Sequence, residues 1–107
     1  MSTNRELLDL AAKAAGITIR WEKERGVIRA RQQSGGYFGI WNPLRDDGDA
    51  LRLAVLLGLT VNLYDRAVFI SRNENEPTQM KMLGDDRYAA TRRAIVRAAA
   101  AIGKEMP

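Results

Sequence analysis

Cysteine and histidine are both missing from the sequence. The first absence removes disulfides, thiolate zinc sites and thiol nucleophiles together. The second removes the commonest metal ligand and the commonest general base at neutral pH. No apolar run reaches the ~18 residues that a membrane span requires. The opening MSTNRELLDL lacks the apolar core of a signal peptide, so the expected location is cytoplasmic, without a membrane partner. No glycine-rich phosphate loop precedes a helix, because Gly35-Gly36 leads into a strand. The lysines, Lys13, Lys23, Lys81 and Lys104, sit in polar contexts with no mark of a buried, activated amine. These absences point to a non-enzymatic protein that needs neither cofactor nor metal.

What is present fits one domain spanning 1–107. At this length folding buries roughly 65% of the unfolded chain's surface, enough for one core without staples. The net charge is +4, and arginine makes up thirteen of the seventeen basic residues. Such a balance suits an acidic partner, although the spread of charge along the chain also suits plain solubility.

The strongest local signal is WNPLRDDGDALRLAVLLGL, at 41–59. Asn42-Pro43 breaks the preceding run, and Asp46 is placed to cap a helix. Asp47 and Asp49 add negative charge where the helix dipole favours it. Ala50, Leu53, Ala54 and Leu57 recur at i, i+3, i+4, i+7, the spacing of a buried face. Gly58 suits the left-handed position that ends a helix.

Before it, Thr3 and Glu6 form a capping-box pattern for a helix over 4–15, with Leu7, Leu10, Ala11 and Ala14 as its stripe and Gly16 as its stop. From Ile17 the period becomes two. Ile17, Ile19 and Trp21 alternate with polar residues, a turn follows at 23–26, and 27–31 returns as the second strand of a hairpin. Ser34-Gly35-Gly36 interrupts, and 37–41 is a third short run in which Gly39 suggests a bulge.

After the central helix, 60–64 alternates with Val61 and Leu63 inward, and 67–71 is continuous enough to be a central strand. The stretch 72–86 is polar and turn-rich and is expected to be a mobile surface loop, with Met80, Met82 and Leu83 either pinning it or covering a ligand. A last helix starts at Asp85 or Asp86 and runs to 102. Its apolar face is Tyr88, Ile95, Ala99 and Ile102, widened by Thr91 and Ala98. Arg93, Arg97 and Lys104 lie opposite, and Gly103 would cap the end. The class is therefore α+β: a mainly antiparallel sheet of four or five strands packed with three helices, in the order α-β-β(-β)-α-β-β-α.

Trp41-Asn42-Pro43 with the Asp-rich helix start, and the closing Ala90-Thr91-Arg92-Arg93-Ala94-Ile95-Val96-Arg97-Ala98, resemble small hypothetical proteins of bacteriophages and prophages. The resemblance is to the phage αβα-sandwich domain, in which a Trp-x-Pro turn leads into a helix and an alanine-rich arginine helix closes the fold. It covers 41–59 and 88–104 well and the region between only in pattern. It implies a phage origin and αβα layering, and carries over no activity and no functional residues.

Three groups of residues could carry binding chemistry. Asp46, Asp47 and Asp49 are too closely spaced for a calcium loop, and a helix start accounts for all three. Arg29 and Arg31 should share a strand face with Arg20 on the neighbouring strand. With Trp21, Tyr37 and Trp41 nearby, this is a candidate surface for bases and phosphates, or else a solvated face over a core Trp21. Arg92, Arg93 and Arg97 on the last helix are either a strip for a phosphate backbone or acidic protein, or the wet face of an amphipathic helix. The leading expectation is a phage accessory protein, with a host-takeover or anti-defence role, that binds a host or phage protein in the cytoplasm of the infected or lysogenic bacterium. Capture of an anionic small molecule such as a nucleotide, and nucleic-acid binding, are the alternatives. Self-association stays open.

Overall fold

A computed structural model describes residues 3–32, 37–72 and 79–107, with the backbone alone at 37 and 38. The elements run α1 (Asn4–Ala15), β1 (Ile17–Glu22), β2 (Val27–Gln32), β3 (Tyr37–Ile40), α2 (Asp47–Leu57), β4 (Thr60–Leu63), β5 (Ala67–Ser71), β6 (Gln79–Met82) and α3 (Arg87–Glu105). The class is α+β with antiparallel pairing throughout. The strands do not, however, form one sheet of four or five. They form two sheets of three, ordered β1-β2-β3 and β4-β5-β6.

The corner after β3 separates the two sheets. Trp41 donates its amide to the Ile28 carbonyl at 2.8 Å, the last link of the first sheet. The buried Pro43 then ends the ladder, having no N–H to give. Asn42 redirects the chain by accepting from the Leu44 amide through its side chain, at 3.1 Å. Its carbonyl accepts from Arg45 and Asp46. After α2 the chain re-enters extended structure at β4, which pairs with β5 and not with β3.

The helix boundaries follow their caps. Thr3 accepts the Glu6 amide and donates its hydroxyl to the Glu6 carboxylate, both at 3.1 Å. Asp46 accepts the Asp49 amide at 2.8 Å. At the other end of α2, Gly58 has φ 64°, and its N–H meets the Ala54 and Val55 carbonyls. Asp86 caps α3 through the Ala89 amide at 3.0 Å.

One buried cluster joins the elements: Leu7, Leu8, Ala11 and Ala12 from α1, Ile17, Ile28 and Ala30 from the first sheet, Ala50, Leu53 and Ala54 from α2, Val68 and Ile70 from β5, and the alanine-rich face of α3. α1 lies along α3 and against β1, α2 rests on α3, and α3 covers β5 and β6. Leu57 sits at the margin of this cluster, only half-buried.

Four expectations need correction. Gly103 does not end α3, which continues to Glu105. It is buried where α3 crosses α1, so close that a Cβ there would press on the Leu10 carbonyl. Tyr88 is exposed and not part of the core, and Leu63, although on the inner face opposite Val68, is 58% exposed. The stretch 72–86 holds a strand, β6, whose alternation is reversed: Gln79 and Lys81 pair with Ile70 and Val68 on the inner face, leaving Met80 and Met82 outside. Lys81 is half-buried there, and a long lysine stem can lie along apolar surface while its ammonium stays in water, so the inner position tolerates it. Leu83 does pin the following turn, buried and donating its amide to the Arg66 carbonyl. Residues 34–36 and 73–78, read from sequence as an interruption and part of a mobile loop, lie outside the described residues.

Two substitutions test this packing by chemical denaturation. Leu53, 1% exposed, should cost about 2–5 kcal/mol when cut to Ala. Gly103→Ala should also destabilise, by roughly 1–3 kcal/mol, because α1 and α3 must separate to admit the methyl. In an ordinary helix the same change would stabilise by about 1 kcal/mol. A stabilised Gly103→Ala variant would contradict the close crossing.

Candidate functional site

The first sheet gathers the hairpin arginines as the alternation predicts. Arg20 stands opposite Arg29, and Thr18 opposite Arg31, so Arg20, Arg29 and Arg31 share the outward face. Like charges directly opposed are unfavourable. Glu22 on the same face offsets them, accepting from Arg29 Nε at 2.7 Å and from Arg20 at 3.4 Å, with Arg25 at 3.9 Å. Removal of the Glu22 carboxylate from water acts to raise its pKa. The hydrogen bond and charge of Arg29, then those of Arg20, outweigh this and hold it below the ordinary glutamate value.

The aromatic half of that candidate surface does not assemble. Trp41 is buried, anchoring the corner, and is removed from any binding face. Trp21 lies on the inner side, where its Nε1 donates to Asp9 at 3.1 Å and the Arg5 guanidinium sits 4.7 Å above its ring. Tyr37 pairs with Arg31 through the backbone, and its side chain lies outside what is described.

The arginines of α3 part company. Arg92 is a fastener: its Nε donates to the Leu44 carbonyl at 3.0 Å and it pairs with Asp47 at 2.6 Å. Arg93 donates to Asn4 at the start of α1 at 2.9 Å. Arg97 alone of the three is exposed. The acids at the start of α2 are likewise engaged. Asp46 caps the helix, Asp47 holds Arg92, and the buried Asp49 accepts from the Asn42 amide at 2.9 Å and from Arg52 at 2.7 Å. Among the described residues no three acidic side chains converge as a cation site.

The second sheet presents what sequence reasoning missed. Its outward face carries Tyr64, Phe69, Met80 and Met82, all exposed, set among Asn62, Thr60 and Ser71. Tyr64 and Phe69 meet edge to face, 5.5 Å between centroids. On the opposite side a groove of about 490 Å³ runs between α2, β4 and α3, lined by Leu51, Val61, Leu63, Tyr88 and Ile95, with Arg92 and Asp47 at its rim. Tyr88 and Leu63 are in phase with core residues, which is why the sequence reads as placing them in the core. The signal against it is their place at element ends, Leu63 closing β4 and Tyr88 in the first turn of α3.

The Glu22 cluster sets an acid dependence. A carboxylate held below its ordinary value adds stability that is complete above the unfolded-chain value and is lost as pH falls through the folded one. Wild type and Glu22→Gln should therefore differ in denaturation midpoint at neutral pH and converge in acid, below the ordinary glutamate range. An NMR titration that places Glu22 at or above that range would exclude this account.

No helix among the described residues is long and apolar enough to cross a membrane. Comparisons with protein-family models, with curated proteins and with solved structures give no match for this chain.

Proposed function

We propose that this chain is a small non-enzymatic accessory protein of phage or prophage origin, working in the cytoplasm of a bacterial host, that binds a host or phage protein through the outward face of its second sheet. The observation that carries the reading is the exposure of Tyr64, Phe69, Met80 and Met82 together on one sheet face. Methionine and aromatic side chains give large, adaptable contact area, and a monomer keeps such a patch uncovered chiefly where something docks. The position of β6 fits this use: its polar residues are turned inward and its methionines outward, the reverse of what a solvated strand would choose.

A second reading rests on the first sheet, where Arg20, Arg29 and Arg31 share one face and would meet the phosphates of a nucleic acid. Affinity chromatography on host lysate separates the two. A protein retained by the wild type should be lost with Met80→Arg and Met82→Arg and kept with Arg31→Ala. Retention of nucleic acid that falls with salt, and is lost with Arg20→Ala and Arg31→Ala, would favour the second reading. Equal retention by every variant would discard both surfaces.

A further inference from the structure

We propose that two copies of this chain pair through β4 about a two-fold axis, joining their second sheets into one six-stranded antiparallel sheet. β4 is an edge strand, and its outer side pairs with no strand among the described residues. Its sequence, Thr60-Val61-Asn62-Leu63, carries neither the charge nor the proline by which edges are commonly protected.

The register dictates how a second copy would fit. Tyr64 donates its amide to the Ala67 carbonyl at 2.9 Å, so these residues form a hydrogen-bonded pair. Antiparallel ladders alternate, which makes Asn62–Phe69 and Thr60–Ser71 the next bonded pairs. Val61 and Leu63 therefore turn their amides and carbonyls to the open edge. In an antiparallel pairing centred on Asn62, Val61 of each copy meets Leu63 of the other, and the edge-facing amides and carbonyls of both are satisfied at once. Thr60 then stands opposite Tyr64, and Asn62 opposite its own counterpart. No like charges oppose one another at these positions.

The side chains beside the edge supply the area. Along the groove Leu51 is 62% exposed, Leu63 58% and Tyr88 71%. Val55, beyond the groove but one turn along α2 from Leu51, is 71% exposed. These four are the exposed apolar side chains beside the edge that would be covered, toward the ~800 Å² per partner of a standard interface. Half-buried Val61 and the open β4 backbone add to them. A single extended peptide would satisfy the edge but would leave Leu51, Val55 and Tyr88 largely wet. A second copy brings its own Leu63 and Tyr88 to cover them, as a two-fold interface requires.

The absence of cysteine makes the test clean. Sedimentation equilibrium on the whole chain should give twice the 11.9 kDa monomer mass. Asn62→Cys, at the centre of the pairing, should form a disulfide-linked dimer under mild oxidation. Thr60→Cys, on the same face but two residues off the axis, should not. Leu63→Arg should yield a folded monomer by circular dichroism, while Ile40→Lys, which removes an equally exposed apolar residue from the first sheet, should remain a dimer. A wild type that stays monomeric at high micromolar concentration overturns the proposal. So does a dimer that Leu63→Arg leaves intact, or cross-linking equal at positions 60 and 62.

Discussion

The close crossing of α1 and α3 is the constraint on which the rest of the molecule depends. At Gly103 the two backbones approach to a distance that no side chain larger than hydrogen permits. Many of the buried residues of the two helices are small: Ala11 and Ala12 on α1, and Ala94, Ala98, Ala99 and Ala100 on α3. Alanine and glycine have no rotamers to lose, so ordering these positions costs backbone entropy alone. The gain per residue is modest, and the seam compensates by intimacy. Both sheets hang from it, β1 against α1 and β5 with β6 against α3, so neither sheet needs to touch the other extensively to be held.

A second, polar device fixes the corner between the sheets. Asp49 draws the Asn42 amide and Arg52 to itself, and Arg92 reaches from α3 to the Leu44 carbonyl and Asp47. Arg92 is mostly enclosed, so truncating it would leave Leu44 and Asp47 without their donor. Residues that look like a phosphate-binding strip in sequence are thus partly structural. Basic residues that remain for a partner include Arg97 on α3 and those on the outward face of the first sheet, where Glu22 already offsets part of the charge.

What could be read from sequence was whatever several local signals agree on. Helix α1 follows from Thr3, its stripe and Gly16, and α2 from Asp46, Leu53 and Gly58, since cap, period and stop coincide. The shared face of Arg20, Arg29 and Arg31 follows from a period of two. The failures have equally specific causes. β6 inverts the pattern by turning Gln79 and Lys81 inward, so alternation there reads as a polar loop. Gly103 carries the composition of a helix stop, and only its neighbour across the crossing shows otherwise. Trp41 is aromatic beside arginines in sequence but is turned into the core by its bond to Ile28. The division into two sheets is set by where the chain goes after Pro43, and no local period encodes it.

The seam joins two helices that lie far apart in sequence. Leu10 meets Gly103, Arg93 bonds Asn4, and Lys13 donates to the Met106 carbonyl at 3.0 Å, across 93 positions of sequence. Proteins are synthesised from the N-terminus, with domains folding as their parts emerge. Here α1 has α3, made much later, as its principal support. The hairpins between them have local partners and need not wait, but α1 has its apolar stripe uncovered until α3 has been made. The docking of α3 is therefore the event that closes the core. Its turn at Gly103, far from α1 in sequence, is the keystone.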